Sequence, residues 1–374
     1  MLSFSQVAEA TLIAPVLETR SIAVIGAGNS ARALSAYLSQ LGHDVSLLTR
    51  TVAKIPNIFE RRTVVATGKV NGEFKLANVG TDVDSIISDN EIIFVATVAG
   101  AYPDVARTIA PYLNSKHKVI LFSGKLGGVL EFSKILSECG APEIPVLETD
   151  ALFACRSQDD ESIWIRGHKQ WTLYSAQDRS TTLEFRDLIE SFFPGLGAAK
   201  NVVERGLTDF GAAAHAPIVI ANMNKIDRAE PFLFYYEGLT ERTVAILENI
   251  EEEFRAVAEA YGGTLIPMKD LLFRYYGCED RSTLLTAMQT VPNYKHSQAP
   301  ATLEHRFLIE DVSCTLVPAQ QFARLAGVET PVIDAVVTFA CILSGVDCRK
   351  VGRSLSKYGL ANLNYDQVHT RLNK

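Results

Sequence analysis

The chain contains no Cys-x-x-Cys pair, and its six cysteines (Cys139, Cys155, Cys278, Cys314, Cys341, Cys348) show no metal-ligand spacing. That excludes a structural zinc site or a disulfide scaffold and suits free thiols in the reducing cytoplasm. Positive charge is short as well. Lys and Arg number 36 against 43 Asp and Glu, a net charge of −7, so no basic field draws the chain onto nucleic acid or anionic lipid. No apolar run is long enough to span a membrane. The longest, Pro331 to Val346, includes Asp334 and falls short of the roughly 20 residues a hydrocarbon core requires. Residues 1–20 lack the basic start and unbroken apolar stretch of a secretory signal, carrying Glu9 and Glu18 instead, and read as a helical or frayed extension.

What is present is the material of a globular protein. Hydrophobic residues make up 47% and charged residues 21%, enough to bury large cores and too little charge for disorder. At 374 residues the chain exceeds what one core normally serves, so two domains are expected.

Over residues 21–200, short β-branched runs alternate with amphipathic stretches, the pattern of βα units in a doubly wound parallel sheet. Strands are expected at Ser21–Ile25, Asp44–Thr49, Glu91–Ala96, Lys118–Phe122 and Ile144–Glu148, with a helix over Asn29–Leu41. Two hairpins are expected to interrupt them, one turning at Asn71-Gly72 and one at Gly167-His168. Past a boundary near Pro194–Asn201, helical periodicity takes over, so residues 201–374 should form a helical second domain. Its clearest helix runs from a Thr240 cap to a Gly262-Gly263 stop, and another starts at Thr330-Pro331. The expected fold class is α/β plus all-α, a Rossmann dinucleotide-binding domain followed by helices.

The segment Gly26-Ala27-Gly28-Asn29-Ser30-Ala31 follows a strand and opens a helix. That is the setting in which a G-x-G-x-x-A pattern brings backbone amides and a helix dipole to a pyrophosphate. An acidic residue closing the next strand would select NAD, but Thr49-Arg50-Thr51 stands there. A guanidinium flanked by hydroxyls favours the 2′-phosphate of NADPH, with NAD use and simple stacking of Arg50 on adenine as alternatives. Thr97, ending another strand, should border the nicotinamide or its ribose. Lys125, in Ser123-Gly124-Lys125-Leu126-Gly127-Gly128, fits either a catalytic role or, as the more common case, a solvated loop lysine. Among seven histidines, His215 stands out, because its surroundings, Gly211 to Pro217, hold no other titratable group. A core histidine and a proton donor both fit that pattern. Arg306 and Asp311 likewise fit either a site or a surface charge run.

Taken together, these motifs resemble the opine dehydrogenases, the octopine and nopaline dehydrogenase family, from Ser21 onward. His215-Ala216-Pro217 with Asn222 is similar to that family's histidine-proline helix, and Phe234-Tyr235-Tyr236-Glu237-Gly238 to the segment after it. Leu303–Arg306 with Glu310-Asp311-Val312 and Leu316-Val317-Pro318 agree, as do Leu325–Val328 with Thr330–Asp334, and Gly352–Leu355. In the first half, Gly127-Gly128 with Glu131-Phe132, and Glu148-Thr149 with Cys155-Arg156, also fit.

The resemblance implies NAD(P)H-dependent reductive condensation of an amino acid's amine with a 2-oxo acid, in the cleft between the two domains. It implies that His215 is the catalytic histidine, Asp311 its partner carboxylate and Arg306 the holder of a substrate carboxylate. Glu148 is a further candidate contact for a basic substrate side chain. Small molecules are thus the expected partners, no metal is expected, and a homodimer is compatible with the helical half. Two alternatives remain. One is a 2-oxo or hydroxy acid reductase of the ketopantoate reductase type, for which Lys225 is the candidate for the lysine such enzymes rely on. The other is a non-catalytic cofactor sensor.

Overall fold

A computed structural model describes residues 18–374; the expected extension over residues 1–20 lies almost wholly outside them. Twelve strands occupy the first half: β1 Ser21–Ile25, β2 Asp44–Leu48, β3 Thr63–Gly68, β4 Gly72–Lys75, β5 Asn78–Gly80, β6 Ile92–Val95, β7 Lys118–Phe122, β8 Val146–Thr149, β9 Phe153–Ser157, β10 Ile163–His168, β11 Leu173–Ala176 and β12 Gly197–Ala198. Eight form one sheet in the order β12-β11-β8-β7-β6-β1-β2-β5. The pairings from β5 across to β8 are parallel, and β11 runs antiparallel to β8. Chain order reverses between β1 and β6, so the ligand crevice of such a sheet should open above their carboxyl ends. Every residue of β6 is buried, as expected for a parallel strand covered on both faces.

The other four strands make a second sheet, β4-β3-β10-β9, and here both expected hairpins need correction. β3 and β4 do pair antiparallel, but from Ala66 opposite Gly72, so residues 67–71 make the connection rather than a two-residue Asn71-Gly72 turn. The reason is tertiary: β3 runs on to Gly68 to pair with Ile165 of β10. At Gly167-His168 there is no turn. These residues complete β10, which bulges after Ile165 and pairs with β9, while Leu173–Ala176 belongs to the other sheet.

After β12 the described residues form helices and their connections, with no strand beyond an isolated bridge between Leu233 and Gln298. Seven helices of the chain concern the site: α1 Asn29–Gln40, α2 Gly128–Glu138, α3 Phe210–Ala221, α4 Glu241–Ala260, α5 Arg306–Asp311, α6 Val317–Ala326 and α7 Pro331–Ser344. The Thr240 hydroxyl caps α4 at the Thr243 amide as expected. Thr330 does not cap α7. The Glu253 carboxylate on α4 accepts from the Val332 and Ile333 amides instead, at 2.7 and 2.9 Å. All six cysteines are free.

One face of the large sheet shares a continuous core with the helical half, from Ile25 and Leu121 through Phe210 and Leu247 to Leu316. The opposite face packs on the small sheet through Val24, Phe122, Phe153 and Ile165. Buried ion pairs tie the halves together: Arg205 donates to Glu148 at 2.9 Å and Arg353 to Glu131 at 3.0 Å.

Candidate active site

The candidate dinucleotide cradle begins where β1 ends. Gly26 has φ +135°, and a Cβ there would lie 2.7 Å from the Ala96 carbonyl oxygen, so only glycine lets β1 turn beside β6. At Gly28 a Cβ would meet nothing within 4 Å. No side chain caps α1, which leaves its first amides, at Asn29, Ser30 and Ala31, available to an anion. A tight first glycine, an open second one and an uncapped helix fit a pyrophosphate. Arg32 braces the loop, donating from Nε to the Ala27 carbonyl at 3.0 Å, and the Asn29 carboxamide oxygen accepts from the Ser157 amide at 3.1 Å.

At the end of β2, Arg50 is exposed, with no ion pair or side-chain hydrogen bond among the described residues. Its flanking hydroxyls are less free than the sequence implied. Thr49 is buried and donates to the Thr51 carbonyl at 3.1 Å, and Thr51 accepts from the Ala53 amide at 3.3 Å. Thr97 lies half-buried just past β6. Two residues on, the Ala99 amide donates to Glu310 at 2.7 Å, which draws this strand end to α5, the helix that carries Asp311.

His215 lies on α3. Its Nδ1 is 2.7 Å from Asp311 Oδ2 and its Nε2 is 2.9 Å from the Tyr235 hydroxyl. The ring of Phe307 stacks on the imidazole with centroids 4.0 Å apart. Burial alone would raise the Asp311 carboxyl, but Lys125 and His215 outweigh it and hold Asp311 well below the usual carboxylate range. As an ionised acceptor it requires the proton on Nδ1, which sets the tautomer. Arg306 opens α5 with its side chain 63% exposed and only a 3.9 Å approach to Glu310, so its guanidinium is free to meet an anion.

Lys125 is where the sequence reading fails. It is buried rather than solvated, and its ammonium donates to Asp311 at 2.6 Å and Asp209 at 3.0 Å. Those two carboxylates overcome desolvation and raise its pKa, so it stays charged. No local signal marked it, because its partners lie 84 and 186 residues away. Its backbone takes φ +58°, two residues after Ser123 at +87°, a conformation non-glycine residues hold only when the surroundings enforce it.

Pro318 and Arg353 supply that enforcement. A π-turn over Val312–Leu316 links α5 to α6. Pro318 has no amide hydrogen to give the Cys314 carbonyl, and the Leu126 amide takes that place at 3.1 Å. Arg353 donates to the carbonyls of Gly124 and Leu126, and Tyr358 packs against Gly127. Gly352-Arg353 and Gly127-Gly128, which carried the resemblance without a role, thus clamp the loop between the halves.

Glu148 must be corrected. It is fully buried, accepting from Arg205 at 2.9 Å and from the Val129 amide at 2.8 Å, so no face of its carboxylate is open to a substrate. Lys225 is exposed, with its ammonium over the Phe232 ring, and takes no part in the His215 network. Asn222 donates to the Ile218 and Gly238 carbonyls. That bond fixes the Phe234–Gly238 segment and places Tyr235, which the sequence had not singled out, on His215.

A family model described as NAD/NADP octopine/nopaline dehydrogenase, alpha-helical domain, matches residues 198–344, and one described as ketopantoate reductase PanE/ApbA matches residues 22–172. The opine dehydrogenase of Arthrobacter sp. (strain 1C) is 32% identical over 353 residues, covering 93% of this chain and 97% of its own length. Protein ocs of Agrobacterium tumefaciens (strain Ach5) is 23% identical over 360 residues, 94% of this chain and 99% of its own. Among solved structures, octopine dehydrogenase in complex with NADH and agmatine superposes with a TM-score of 0.74 at 21% identity, covering 95% of this chain and 98% of that one. NADP+-bound yersinopine dehydrogenase does so with a TM-score of 0.69 at 14% identity, covering 95% and 98%. Both have the same fold as this chain.

Proposed function

The chain belongs to the opine dehydrogenase family, NAD(P)-dependent oxidoreductases acting on CH–NH bonds, and from that premise we propose how its residues divide the work. It condenses an amino acid's amine with a 2-oxo acid and reduces the product to a secondary amine. The observation that carries the assignment of roles is the His215–Asp311 contact, which joins residues 96 positions apart beside an exposed Arg306.

The planar fork of Arg306 binds the oxo acid's carboxylate and presents its carbonyl carbon. Expulsion of water from the carbinolamine needs a proton at its hydroxyl oxygen, and His215 is the source, with Asp311 fixing ring orientation. The bound nicotinamide supplies the hydride. Residues of the Gly26–Ala31 loop hold the pyrophosphate, with Thr97 beside the nicotinamide end.

Arg50, without a carboxylate at the end of β2, favours NADPH. Arg50→Ala should raise KM for NADPH far more than for NADH, and equal effects would refute the preference. Apolar side chains Phe339 and Ile342 stay exposed on α7, in keeping with a homodimer; a 40.9 kDa species in sedimentation equilibrium would exclude it.

The test of the reaction is NADPH oxidation at 340 nm over a grid of amino acids against pyruvate, glyoxylate, oxaloacetate and 2-oxoglutarate, each component also omitted. Oxidation that needs both substrates is expected. Oxidation with the oxo acid alone would indicate a simple reductase.

A further inference from the structure

Proton transfer to or from an imidazole runs along its in-plane N–H directions, and both directions at His215 are taken. Nδ1 faces Asp311 at 2.7 Å, and Nε2, the one left to serve a substrate, faces the Tyr235 hydroxyl at 2.9 Å. Neither the ring face against Phe307 nor Cε1, which points toward Gly211, offers another route. Tyr235 is held firmly in that place. Its ring stacks on Tyr294 with centroids 3.9 Å apart and meets Phe234 edge-on at 5.0 Å, and the Asn222–Gly238 bond fixes its loop.

We propose that Tyr235 is the terminal proton donor of the site, relaying the proton of His215 to the substrate rather than merely covering it. The inference rests on the condensation reaction proposed above. With neutral His215, the phenol donates to Nε2. Once His215 carries a second proton, Nε2–H donates to the phenolic oxygen and the phenol's own hydrogen is released toward the substrate. The phenol proton passes to the carbinolamine hydroxyl, whose C–O bond breaks to release water. The nitrogen lone pair forms the C=N bond, and the phenolic oxygen takes the Nε2 proton, leaving neutral histidine. Atoms and charge balance without a further reactant. Burial, with the nearby charge of Asp311, pushes the phenol well above its ordinary pKa, so it remains protonated between turnovers.

Tyr235→Phe tests this, because the two readings predict opposite results. A relay predicts that kcat for condensation falls on the order of 100-fold, while KM for both substrates and the affinity for NADPH stay near wild type. If His215 acts directly, removing the hydroxyl frees Nε2, and an unchanged or raised kcat would overturn the proposal. A second readout guards against a purely structural effect: a fluorinated tyrosine at position 235, which returns the hydroxyl to the same place, should restore turnover that Tyr235→Phe has lost. A fluorotyrosine variant as slow as Tyr235→Phe would also overturn it. Failure of the underlying reaction is distinguishable, since wild-type protein would then show no turnover that needs both substrates.

Discussion

Lys125 shows how much at the residue scale depends on pairing. Its ammonium lies between Asp209 and Asp311, keeping apart two carboxylates that would otherwise repel in a buried space. Replacing it by Met removes the cation that bridges them. Losing one partner of a buried ion pair costs about 3–5 kcal/mol, so Lys125→Met should lower the urea midpoint markedly and disturb Asp311. A variant with wild-type stability would show that the bridge carries no weight. His215→Ala should behave in the opposite way. It leaves the fold and cofactor affinity intact while lowering condensation by about 10²–10⁴-fold, the usual contribution of a general acid. Steady-state rates with a fluorescence titration of NADPH separate the two.

At the scale of elements, the site is built from departures from regularity. The β1–α1 turn needs Gly26 because the Ala96 carbonyl is so close. Gly26→Ala should therefore weaken binding of NADPH and NADH alike, in contrast to Arg50→Ala; unchanged affinity for both would show that the turn is not the cradle. The π-turn after α5 has the same character. By withholding a backbone donor, Pro318 frees a carbonyl for the Leu126 amide, and the lysine loop is docked on the helix that carries Asp311.

At the scale of the whole molecule, the two halves share a core and a buried network of charge. Asp209 and Asp311 are both held below the ordinary carboxylate range, against the opposing effect of burial, chiefly by Lys125. Each releases its proton more readily folded than unfolded. They therefore add stability above the unfolded value of about 4, and that stability is lost as pH falls through the folded values. Denaturation midpoints should decline steeply on acidification, and Asp311→Asn should flatten that decline while lowering stability at neutral pH. An acid slope identical to wild type would contradict the assignment.

Hydrophobic periodicity and turn chemistry were sufficient for β1, α1, β2, β7 and α4, and for the strand–turn–helix geometry of Gly26–Ala31, because each is settled by neighbours within a turn or two. The roles of His215, Arg306 and Asp311 came from resemblance, not from local physics. Lys125, Tyr235, the burial of Glu148 and the true partner of β10 were decided only by tertiary structure. Each depends on residues brought together across long stretches of chain, and a sequence records which side chains are available without recording the distances at which they meet.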